Sequence, residues 1–216
     1  MRPERWTAIA GVATILILIP AIVMESIGPD AGMSPSDMAA RFASAQGAVL
    51  LGSVLLLANQ VTLLFFAIGL ATLTRSTTPV LSTVLLVSAA ISIAASTVYE
   101  AVFASIASSI HHIHNNDVVY GLFIVATSMD TISGSFAGIL IGFGAYALRQ
   151  SNLIAVWLTR LGVVSGAIVF VSAIGIVGPQ AFALTLIAII GAFLGLLWIL
   201  LASISLLRVR TASAER

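Results

Sequence analysis

"PVLSTVLLVSAAISIAASTVYEAVFASIASS", Pro79 to Ser109, holds a single charged residue, Glu100. A helix crosses the hydrocarbon core of a bilayer in about 20 residues, so this run is long enough to span with some to spare. Comparable apolar runs lie near residues 6–27, 47–74, 117–148, 160–177 and 180–207. The fifth is the shortest, because Arg160 interrupts "NLIAVWLTRLGVV". Composition agrees: 60% of the 216 residues are hydrophobic and 8% charged, too little polar surface to enclose a soluble core. The expected fold is all-α, a polytopic membrane helix bundle of six transmembrane helices forming a single domain over residues 1–216. The first run follows "MRPER" without a small-x-small cleavage site and is read as an uncleaved span.

The basic residues orient the expected bundle. Arg2, Arg5, Arg75, Arg149, Arg160, Arg208, Arg210 and Arg216 fall on one side of six crossings and only Arg41 on the other, which makes the N- and C-termini cytoplasmic. The outer side then holds "GPDAGMSPSDMAARFASAQ", the turn "SSIHHIHNND" and a tight "VGPQ" connection. Ser34 followed by Pro35 and Asp37 signals a helix start in the first of these: a capping hydroxyl, proline in the first turn, and an acid near the positive end of the helix dipole.

Several kinds of chemistry are excluded. A net charge of +1, with basic residues at segment ends, offers no surface for nucleic acid. All nine basic residues are arginine and cysteine is absent, which rules out lysine Schiff bases, thiolate nucleophiles, cysteine-held iron–sulfur clusters and disulfides. Ser133 and Ser135 lie near Asp130, but no histidine is at their depth, so "GSFAG" reads as a packing ridge rather than a nucleophile elbow.

Lipid gives helices no hydrophobic reason to associate, so small residues that allow close backbone approach must supply the contact. Gly134, Gly138 and Gly142 form two overlapping GxxxG steps, and Gly162/Gly166 and Gly191/Gly195 repeat the spacing. Ser88, Ser92 and Ser96 make a weakly polar ridge on the third span. Continued by the same interval of four, the serine ridge reaches Glu100 and the glycine ridge reaches back to Asp130, which directs both acids toward helix contacts. At 1.5 Å per residue, Glu25, Glu100 and Asp130 all lie about 27–32 Å from the inner ends of their spans, one carboxylate layer near the outer face. Asn59 and Gln60 sit below it, about 21–23 Å up.

An ion in this setting must be protonated, paired, wet or bound to a cation. Glu25, Glu100, Asp130, Asn59 and Gln60 are therefore the candidate ligand-binding residues, set against a plain reading in which Glu25 and Glu100 end in interfacial water and Asp130 bonds to serines or Asn59. His111, His112 and His114 are the candidate metal ligands, and a divalent metal is the cofactor these residue types admit. Their spacing does not match HExxH, and the same residues suit a polar turn in which Asn115 or Asn116 caps the fourth span.

Two segments, "GAYALRQSNLIAVWLTRLGVVSGAIVFVSAIG" (Gly144–Gly175) and "LLWILLASISLLR" (Leu196–Arg208), resemble a family of bacterial six-span integral membrane proteins catalogued as a domain of unknown function. The resemblance implies six spans in one domain in a bacterial plasma membrane. It implies no substrate, cofactor or catalytic residue.

The expected function is binding of a small cation, proton or small ligand in an outward-facing polar pocket, with transport as its extension and without catalysis. A non-catalytic accessory or assembly subunit of a membrane complex is the alternative, motivated by the GxxxG faces. A metal-dependent membrane enzyme is the second alternative. The expected partners are the lipid bilayer and a further copy or a membrane-complex subunit.

Overall fold

The computed structural model describes residues 2–174 and 182–208. Among these the chain is helical: α1 (Pro3–Glu25), α2 (Pro35–Ser44), α3 (Gln46–Thr74), α4 (Pro79–Ser109) with a short 3-10 turn (Ile110–His112), α5 (Asn116–Gln150), α6 (Val156–Ile174) and α7 (Phe182–Arg208). Local signals account for several boundaries. Pro35 occupies the first turn of α2 and the Ser34 hydroxyl accepts from the Asp37 N–H at 3.2 Å, as the sequence predicts. Pro79 opens α4. Asn115, rather than Asn116, caps α5 by accepting from the Asp117 N–H at 2.9 Å.

Five helices are long and apolar enough to cross a membrane: α1, α3, α4 with its 3-10 turn, α5, and Ile189–Arg208 of α7. The apolar stretch of α6, Val156–Val171, is shorter. The expected fifth span starts earlier than residue 160, at Val156, and carries Arg160 exposed within it. A long arginine stem can lie along apolar surface while its head reaches a polar layer, so the charge does not break the helix. The "VGPQ" connection, Gly175, Arg210 and Arg216 lie outside the described residues.

Consecutive long helices pack side by side, α1 on α3, α3 on α4, α4 on α5, α5 on α6 and α6 on α7, and α1 also packs on α7, which closes the bundle into a ring. Close approach of α5 and α6 depends on glycine: a Cβ on Gly138 would lie 2.6 Å from the Gly166 carbonyl and 2.9 Å from the Phe170 nitrogen. The GxxxG faces of α5 and α6 are thus spent on one another within the chain. Gly134 does not take part, since nothing lies within 4 Å of the position a Cβ would take there.

The bundle is apolar on the outside. Leu16, Val54, Val80, Trp157 and Phe193 are among many large hydrophobic side chains left exposed, far more than a water-facing surface tolerates as contiguous patches. Inside, two apolar clusters are separated by a polar layer. One, at the end bearing Arg75 and Arg149, gathers Phe66, Leu70, Leu85, Leu148 and Trp198. The other, at the end bearing α2, gathers Met38, Phe42, Phe103, Ile106 and Phe123. Between them α3 and α4 bury Ser53, Asn59, Gln60, Ser92 and Ser96, with Glu100 at the border of the second cluster.

Candidate functional site

The serine ridge of α4 is buried along its length as the spacing predicts, Glu100 included. Two of its serines hydrogen-bond to a facing helix. Ser92 donates to the Ser133 carbonyl of α5 at 3.0 Å, and Ser96 accepts from the Gln60 amide of α3 at 2.7 Å. Ser53 of α3 is the hydroxyl side chain that stands beside the Glu100 carboxyl group. Helix α1 packs close to α3 at this level: a Cβ on Gly52 would stand in van der Waals contact, 3.4 Å, with the Glu25 nitrogen and with Cβ of Met24. This brings the last turn of α1 against the turn of α3 that carries Ser53.

The consequence is a cluster of carboxyl groups. Glu100 lies within electrostatic reach of Glu25 and Asp130, and Glu25 within reach of Asp130. The three acids come from three different helices, α1, α4 and α5, and each of Glu25 and Glu100 feels the charge of another acid. Arg41, the one arginine expected on this side, donates from Nε to the Gly28 carbonyl at 3.5 Å.

The three acids are not equivalent. Glu25 is half-buried and accepts a hydrogen bond from the Tyr99 hydroxyl. Asp130 is exposed, although its ridge was expected to aim it at a helix contact. Eight residues separate it from Gly138, and at 100° per residue that interval rotates the ridge about 80° off a strict repeat. Ser133, a possible partner for Asp130, bonds to Ser92 instead. Glu100 is the deepest at 2% exposed.

Among the described residues four buried side-chain polar atoms have no hydrogen-bond partner: Asn59 Oδ1, Gln60 Oε1, Glu100 Oε1 and Trp198 Nε1. The indole is remote from the acids, packed over Gly162 of α6. The other three are oxygens, acceptors all, in the polar layer between the apolar clusters. Buried acceptors are almost always satisfied, and each left bare in a low dielectric costs on the order of 1–3 kcal/mol.

The histidines stand apart from this group. Ile110 is buried and Ile113 partly buried against the α2-end cluster, which pins the turn and leaves His111, His112 and His114 exposed. Among the described residues no three histidine, aspartate or glutamate side chains form a group that could hold a metal ion. The pattern at 111–114 fits the polar-turn reading.

Two contributors escaped sequence reasoning. Tyr99 precedes Glu100 and was hidden within an apolar run, yet it ties Glu25 to an aromatic cluster, with its ring centroid 4.5 Å from that of Phe103. Ser53 lies seven residues before Gln60, two helical turns, so it shares that residue's face of α3; this spacing was the available signal.

No protein-family model, curated protein or solved structure matches this chain. The likeness noted over Gly144–Gly175 and Leu196–Arg208 therefore rests on helix spacing alone.

Proposed function

We propose that the protein is a six-crossing membrane protein with cytoplasmic termini that binds a small cationic ligand in the polar layer between α1, α3, α4 and α5. The ligand reaches the layer from the side bearing α2 and the histidine turn. The observation that carries this reading is Glu100: an acid 2% exposed, with Oε1 unpartnered and two further carboxyl groups nearby. Three acids on three helices repel one another, and a bound positive charge relieves both the repulsion and the cost of burying them. The unpartnered oxygens of Asn59 and Gln60 give the ligand further acceptors.

The rival readings find less support. The small-residue faces that would dock an accessory subunit are occupied within the chain at Gly138 and Gly166. A metal enzyme needs three protein ligands around one ion with an open position, and no such group exists among the described residues.

Thermal unfolding of the detergent-purified protein across protons, alkali cations, divalent cations and simple amines, at constant ionic strength, tests the proposal. At least one of these should raise the midpoint saturably in the wild type, and Glu100→Gln should abolish that rise. Equal responses of wild type and variant to every member would sink the idea.

A further inference from the structure

The acceptors around Glu100 identify the class of ligand more closely, and this inference rests on the reading just given. Gln60 and Ser96 are joined by the 2.7 Å hydrogen bond that bridges α3 and α4. Because the Gln60 amide nitrogen serves Ser96, its Oε1 is left as an acceptor, and it is unpartnered in a side chain 8% exposed. Glu100 follows Ser96 by four residues, about 6 Å along α4 and on the same face. Its Oε1 is likewise unpartnered, and Ser53 stands beside its carboxyl group. Two bare oxygens and two hydroxyls thus line one stretch of the α3–α4 contact.

We infer that this stretch is a binding site for a dehydrated monovalent alkali cation, held by the Gln60 side-chain carbonyl, the Glu100 carboxylate and the Ser53 and Ser96 hydroxyls. Three considerations select this class. The set is all oxygen, the ligand type of hard cations, with no nitrogen or sulfur donor to favour a transition metal. The fully buried set holds one carboxylate: Glu100 is 2% exposed, whereas Glu25 is half-buried and Asp130 exposed. One negative charge neutralises a monovalent ion, whereas a divalent ion would leave a net positive charge in a low dielectric. A proton on Glu100 would supply a single donor and could satisfy one bare acceptor at most, while a metal cation coordinates several oxygens at once.

The test is equilibrium binding of radioactive sodium to the full chain in detergent, with N-methylglucamine holding ionic strength constant. Saturable binding of one sodium per chain is expected. Glu100→Gln should remove it, and Gln60→Leu or Ser96→Ala should weaken it by about tenfold or more, the effect of losing one buried ligand. Ser96→Ala preserves helix and volume, so its folding is checked by an unchanged elution profile and helical circular dichroism. Absence of saturable sodium binding by the wild type, or binding unaltered in both the Glu100 and Ser96 variants, overturns the inference. Displacement of sodium by equimolar calcium at low concentration also overturns it. A stabilisation by protons or ammonium that depends on Glu100, without sodium binding, defeats this inference and leaves the broader reading standing. No Glu100-dependent response to any cation defeats both.

Discussion

Glu100 and Tyr99 are neighbours in sequence and divide their work between two faces of α4. Tyr99 turns to α1 and donates to Glu25 while its ring packs on Phe103; Glu100 turns to Ser53 of α3. Tyr99→Phe keeps the ring and removes only the donor. The loss of one hydrogen bond at a half-buried acceptor should lower stability by about 1 kcal/mol, read as a lower midpoint in thermal or denaturant unfolding in detergent. An unchanged midpoint would mean that the hydroxyl is dispensable to Glu25. The sequence made the acids legible, because charge inside an apolar run is conspicuous. It did not reveal their unequal burial, which depends on what the facing helices present. Asp130 illustrates this: an interval-of-four ridge placed it on the contact face, and the 3.6-residue period rotated it out into the open.

At the scale of elements, the helices and most of their ends were legible because hydrophobic length, proline at first turns and a capping serine are local properties. The order of packing was not, since any apolar helix can face any other in lipid. Glycine settles part of it. Gly138 and Gly134 belong to the same GxxxG ridge of α5, yet only Gly138 touches the α6 backbone. Gly138→Ala should therefore destabilise the bundle by about 1–3 kcal/mol, since a Cβ would meet backbone atoms that cannot step aside. Gly134→Ala, with open space around it, should be neutral or stabilise by up to about 1 kcal/mol through backbone entropy. The pair is checked by comparing unfolding midpoints of two otherwise identical proteins, and equal losses would contradict the α5–α6 contact. Helix α2 shows a second long-range choice: Met38 and Phe42 are fully buried in the cluster with Phe103 and Phe123, so a short amphipathic helix lies across the ends of α4 and α5. Its start was readable at Ser34, its docking site was not.

Taken whole, the molecule inverts a soluble protein: apolar residues face outward, two apolar clusters cap the interior, and a polar layer lies between them. Such a layer is costly in a low dielectric unless something satisfies it, and its bare atoms are oxygens contributed by Asn59, Gln60 and Glu100. The described residues provide apolar helices, one ring of neighbouring contacts and three acids on three helices; in the proposed account a positive ligand completes the charge balance. The most direct measurement is infrared difference spectroscopy of the full chain reconstituted in lipid, recorded with and without sodium and again with ammonium and with acid, for wild type and Glu100→Gln. A ligand-dependent change in the carboxyl stretching region that is present in the wild type and missing in the variant is the expected result. Superimposable difference spectra for the two proteins under every condition would show that no ligand is bound through Glu100, and the account would fail at its centre.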